Sequence, residues 1–193
     1  MSRRLSTSLF IAGSIAAILV VGAIFGRVGR LTDPPDFNAR PAFQLPFACG
    51  QLWRLSTYAS HNPEDKKVDF FRLGAKTAGS TVVASATGEV RRLVRPGGVK
   101  LYHGKGWYTI YLHMDKIRVE PGEQVVAGQP IGAVGKVGTR VEHLHYEQLF
   151  DEDASGDAPP SEIVTPVLQG KQYSLEADNP APQLLSKNAC PTS

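Results

Sequence analysis

From Pro46 onward the chain is written in short apolar runs punctuated by Gly and Pro, with no convincing helical period before the C-terminal tail. That punctuation excludes long helices and leaves extended segments joined by tight turns. Strands are predicted over 68–72, 80–84, 88–94, 99–103, 107–114 and 163–168, bounded by turn formers such as Thr87-Gly88 and Pro96-Gly97-Gly98. Between them, 119–132 alternates turns with small strands, and Gly135 and Gly138 lead into a strand holding His143 and His145. The expected fold is all-β: a short-stranded antiparallel sheet or β-barrel-like sandwich with a groove. It occupies 46–175 and is followed by a polar tail over 176–193. In the long strand 107–114, alternation sets Ile110, Leu112 and Met114 on one face with Tyr108. Trp107, Thr109, Tyr111 and His113 fall on the other.

The N-terminus has a different grammar. After a short cytoplasmic stretch, 1–8, residues 9–25 form an uncharged apolar run that as a helix spans roughly 25 Å. This reads as a transmembrane signal anchor, or as a secretion signal if it is cleaved. Residues 26–45, with Pro34-Pro35 and Pro41, read as an extracytoplasmic linker. Arg27 and Arg30 beyond the run rival Arg3 and Arg4 before it, so charge does not orient it. The cysteines do. There are two, Cys49 and Cys190, and an even count behind an export signal predicts a disulfide in an oxidising space. The expectation is a single-pass protein of the cell membrane, held by its N-terminal helix with the β domain outside.

Charge narrows the partners. The net charge of +3 comes from scattered Lys and Arg, without the clustered basic stripe that nucleic-acid binding requires. The 42% of hydrophobic residues is enough for a core. Asp151, Glu152, Asp153 and Asp157 lie in a small, polar, proline-terminated stretch that reads as a solvated loop, since it lacks the spacing of a calcium loop.

All five histidines lie in the β domain. In Glu142-His143-Leu144-His145-Tyr146-Glu147 the two histidines are two apart on a strand and project from one face, so both imidazoles can reach one centre. His61 and Asp69 flank the entrance to the first predicted strand, and a loop can return His61 beside Asp69. His61, Asp69 and His145 then make a donor set suited to Zn²⁺ that leaves a fourth position for water. Glu147, two beyond His145, is placed to orient an imidazole or to stand on the rim. His103, beside Gly104, reads as a polar turn residue.

The combination of His61, Val68-Asp69-Phe70, Tyr111-Leu112-His113, Gly128-Gln129-Pro130-Ile131-Gly132 and His143-Leu144-His145-Tyr146-Glu147 resembles the lysostaphin/LytM-type zinc metalloendopeptidases of bacterial peptidoglycan. The resemblance implies zinc on His61, Asp69 and His145, with His113 and His143 acting on the reacting groups. In the common form of that family the first ligand precedes the Asp by four positions, which here is Asp65; His61 corresponds to variants with a longer loop. The implied activity is hydrolysis of a peptide bond in the stem peptide or cross-bridge. The alternative is a noncatalytic domain of the same fold that binds the wall or activates another hydrolase. A biotinyl or lipoyl carrier reading fails for want of a lysine at a hairpin tip.

Overall fold

The computed structural model describes residues 40–177 and 179–191. The expected anchor, 9–25, lies outside them; among the described residues no helix is long and apolar enough to cross a membrane. Fourteen strands are described: β1 Leu52–Ser56, β2 Val68–Arg72, β3 Thr81–Val83, β4 Gly88–Val94, β5 Gly98–Tyr102, β6 Trp107–Leu112, β7 Met114–Ile117, β8 Gln124–Val125, β9 Pro130–Val134, β10 Leu144–Phe150, β11 Ile163–Val164, β12 Val167–Leu168, β13 Lys171–Gln172 and β14 Gln183–Leu185. Helical structure among them amounts to two short 3-10 turns, Glu64–Lys66 and Pro160–Glu162. The all-β expectation therefore holds, and every described pairing is antiparallel.

Nine strands form one sheet in the order β14-β1-β2-β10-β6-β5-β4-β8, with β11 added beside β10; β3-β9-β7 make a second sheet and β12-β13 a ribbon. The core lies between the two larger sheets. Trp53, Leu55, Phe70, Tyr146 and Tyr111 from the first pack in one cluster with Val82, Ile131, Val134 and Met114 from the second. A small polar network sits inside it, with Ser85 Oγ 2.8 Å from Tyr111 Oη and 3.1 Å from Tyr146 Oη, so the phenols are satisfied where they are buried. β10 is central and buried along its whole length. Its even residues Leu144 and Tyr146 enter the core, which sends His145 and Glu147 to the opposite face of the sheet.

Several expectations need correcting. The predicted strand 107–114 ends at Leu112, because His113 has φ +67° and a new strand starts at Met114. Ile110 and Leu112 pair with Glu147 and His145, so they lie on the face away from the core while Tyr111 lies in it. The segment 163–168 is two short strands, not one. The tail contributes β14, which pairs with β1, where a helical period had been the alternative. Packing begins before 46, since Phe43 and Leu45 are buried. The 151–160 stretch is tied down rather than loose: Asp157 pairs with the fully buried Lys100 and with Arg92, and Tyr108 Oη donates to the Gly156 carbonyl at 2.7 Å.

Candidate metal centre

Asp69 is the hub of the site. β2 lies between β1 and β10, with Asp69 opposite Ser56 on one side and His145 on the other, and the carboxylate is 1% exposed. His145 Nδ1 lies 2.9 Å from Asp69 Oδ1, His143 Nε2 3.3 Å from Oδ2 and His61 Nε2 3.6 Å from Oδ2. The donor atoms of His61, Asp69 and His145 lie within 4.8 Å of one another. Asp65, in the 3-10 turn, is not part of that group. His113 reaches the same place, its ring centroid 4.7 Å from that of His143 and 5.8 Å from that of His145. Three of the five histidines thus meet one carboxylate, and a fourth, His113, lies against two of them.

Each imidazole is oriented by a partner on its far side. Thr57 Oγ1 gives its proton to the Glu64 carbonyl at 2.6 Å, so it can only accept from His61 Nδ1, 3.1 Å away, which leaves the lone pair of His61 Nε2 free to ligate. His143 Nδ1 donates to the Val141 carbonyl and His113 Nδ1 to the Val137 carbonyl, both at 2.8 Å, again leaving Nε2 bare. Burial pushes His61 and His113 below the ordinary imidazole value, which keeps those lone pairs available near neutrality. His145 is held between two carboxylates, Asp69 on Nδ1 and Glu147 on Nε2 at 2.9 Å. Burial alone would lower it, but these hydrogen bonds raise it to about 9. Glu147 is itself buried and lies 3.8 Å from Lys67 Nζ, so it orients His145 and does not stand on the rim.

His103 is elsewhere. Its Nδ1 donates to the Thr87 carbonyl at 2.9 Å and its Nε2 lies 2.7 Å from Thr109 Oγ1, as suits a turn residue. The acidic loop gathers Asp151 and Asp153 with Glu162 into a second group. Asp151 is engaged there with the backbone N–H groups of Ser155 and Gly156. Sequence reasoning missed Thr57, Lys67 and Phe71, whose ring stacks on His143 at 5.6 Å. Alternation from Asp69 could have found Phe71; Thr57 sits in a connection without period.

The donor set fits a divalent metal. Two nitrogens and a carboxylate oxygen are what zinc takes in an open site, and the outer partners fix each tautomer. A ligating imidazole must be neutral, so a cation there would replace the Nδ1 proton of His145.

Antiparallel sheets with a His, Asp, His cluster on the outer face of the main one make a scaffold that can hold a catalytic metal. Comparison with known proteins agrees: residues 68–155 match the model of Peptidase family M23. Over 143 residues the chain is 33% identical to the protease LasA of Pseudomonas aeruginosa, covering 65% of this chain and 34% of LasA. It is 49% identical over 144 residues to the peptidoglycan DD-endopeptidase ShyA of Vibrio cholerae, covering 67% of this chain and 32% of ShyA. The solved structure of the M23 metalloprotease pseudoalterin, from the deep sea, has a TM-score of 0.55 at 17% identity and covers 71% of this chain and 86% of that one, a likeness of fold. The chain thus carries a Peptidase family M23 domain over residues 68–155. It spans about a third of the length of the two curated relatives.

Proposed function

We propose that the chain is a zinc-dependent endopeptidase that hydrolyses peptide bonds of bacterial cell-wall peptidoglycan. The observation that carries this reading is the convergence of His61, Asp69 and His145 within 4.8 Å, with His113 and His143 beside them. The likeness to ShyA supports the wall as substrate. Zinc bound by His61, Asp69 and His145 would supply a Lewis acid and a water acidified toward pH ~7. The remaining chemistry belongs to the chain. A ring whose Nδ1–H already donates to a carbonyl takes its next proton at Nε2, so His143 and His113 are each set to accept a proton there and pass it on. One serves the attacking water and the other the developing oxyanion or the leaving amine. Glu147 and Thr57 hold the ligand rings in register.

The reading includes its compartment. The Cys49–Cys190 disulfide suits an oxidising space, consistent with a domain outside the membrane and an anchor at 9–25. The test is metal analysis of the purified chain together with muropeptide profiling of digested wall. Stoichiometric zinc and newly opened peptide bonds are expected. A chain without zinc that leaves the wall intact would overturn the reading in favour of a noncatalytic wall-binding or activating domain.

A further inference from the structure

The face of the main sheet that carries the metal centre continues past it. Phe71, two residues beyond Asp69 on β2, stacks on His143, and its cross-strand partner on β1 is Arg54. The Arg54 guanidinium lies 5.1 Å from the Phe71 ring centroid. Arg54, Ser56 and Tyr58 form one wall of a cleft of about 580 Å³ whose other wall is lined by Lys171, Tyr173, Glu176, Asn179 and Pro182. Tyr58 also meets His61 edge-on, with centroids 5.7 Å apart. The cleft therefore joins the centre twice, through Phe71 to His143 and through Tyr58 to His61. Its second wall comes from residues beyond the 68–155 family match.

Two cations of this cleft lack a carboxylate partner among the described residues. Arg54 makes no ion pair there and rests on the aromatic face of Phe71. Lys171 is in the same state, its Nζ 5.3 Å from the Tyr173 ring. Glu176, which also lines the cleft, accepts a hydrogen bond from Asn179. A guanidinium resting on a ring keeps its N–H fork for an incoming oxyanion, and a planar carboxylate matches that fork. The ring contacts of 5.1 and 5.6 Å put Arg54 no more than about three residues of extended peptide from His143.

We propose that this cleft is a substrate subsite in which Arg54, assisted by Lys171, binds a free carboxylate of the peptide a few residues from the scissile bond. The inference rests on the endopeptidase reading and adds a determinant of specificity to it. The test uses the full-length zinc-loaded chain and wall stem peptides in three forms: free acid, C-terminal carboxamide and side-chain carboxamide. Hydrolysis is followed together with affinity for the same peptides made with a reduced, uncleavable bond. For the wild type, one of the two amidations should raise KM and weaken binding by about tenfold, the worth of one charge-assisted hydrogen bond at a partly exposed site. Which amidation does so identifies the carboxylate as terminal or side-chain. Arg54→Gln should erase that difference and Arg54→Lys restore part of it, with zinc content unaltered in both. The subsite is overturned if neither amidation costs the wild type affinity, or if Arg54→Gln keeps the wild-type ratio. Arg54-dependent binding of the free acid without hydrolysis would uphold the subsite while removing the endopeptidase reading, so the two fail separately.

Discussion

Asp69 meets three imidazoles at once, and a carboxylate that does so while almost fully buried needs a positive partner, which is either His145, raised to about 9, or a bound cation. Removing it leaves histidines with nothing to organise. Asp69→Ala and His145→Ala should therefore abolish stoichiometric zinc and activity while the strand core survives, as zinc analysis and circular dichroism would show. His61→Ala should do the same and Asp65→Ala should not; zinc lost from Asp65→Ala alone would give the first ligand to Asp65. His143→Ala and His113→Ala should keep zinc and lose about 10² to 10⁴ in turnover, the usual worth of a positioned base or acid. Near-normal turnover in either would demote it to structure. Away from the site, burial holds the His103 imidazole down at about 4. Unfolded chain takes up a proton near pH 6.5 that the folded ring refuses until about pH 4, so its contribution is intact above 6.5 and drains as pH falls between those values. His103→Gln should flatten acid destabilisation in that window by on the order of 2 kcal/mol, read from urea midpoints across pH. An unchanged slope would refute the assignment.

At the scale of elements, the junction of β6 and β7 decides the site. Regular alternation beyond Tyr111 would carry His113 into the core; the left-handed backbone at His113 returns its ring to the side of His143 and His145. That conformation is costly for a residue with a side chain and persists only where its surroundings hold it. They do so here: His113 N–H donates to the Pro96 carbonyl at 3.1 Å, Met114 N–H to Gly97 at 2.8 Å, and the His113 carbonyl accepts from Gly135 at 3.0 Å. Gly97 is the tightest part of this clamp. It has φ +55°, and a Cβ there would stand 2.4 Å from the Met114 carbonyl oxygen and 2.8 Å from Val137 Cβ. Gly97→Ala should cost about 2 kcal/mol or more and lower turnover with zinc retained, because Val137 also supplies the carbonyl that sets the His113 tautomer. Gly122→Ala, at φ +88° with open space around it, should cost only about 1 kcal/mol and leave turnover alone. Equal effects in the two variants would show that the clamp does not act on His113.

For the whole molecule, the two ends of the folded body are joined. Cys49 and Cys190 are 141 residues apart in sequence and bonded, and β14, just before Cys190, pairs with β1, just after Cys49. The loop-entropy model assigns such a closure on the order of 5 kcal/mol at most. Ser186 and Asn188 reinforce it through hydrogen bonds to the Phe47, Leu45 and Ala84 carbonyls. Cys190→Ser should lower the melting temperature by about 10 °C. Zinc content and turnover per folded molecule at low temperature should stay as they were, because the bridge lies beyond the Leu52 end of β1, whereas it is Ser56, at the other end, that faces Asp69. Alkylation of intact cells before lysis checks the compartment: two freely alkylated thiols would remove both the bridge and the exported topology.

The period of two in Leu144 to Glu147 was enough to pair His143 with His145 on one face, and Gly and Pro punctuation was enough for β2, β4, β5, β6 and β10 of the main sheet, though not for β1 or β14. These are local properties, written in residues a few positions apart, and so they were legible. The cysteine pair was legible by count alone. The face on which His113 lies was not, because its left-handed turn is held by Pro96, Gly97 and Gly135, and nothing in the strand itself announces the break. Nor was the burial of Glu147, the tautomer lock of Thr57 on His61, or the meeting of Arg54 with the segment after Lys171. Those depend on which strands become neighbours, β14 with β1 and β2 with β10. Sequence determined which residues could act together along a strand; only the pairing of distant strands decided which of them share a centre, since burial and hydrogen-bond partners come from contacts across the chain.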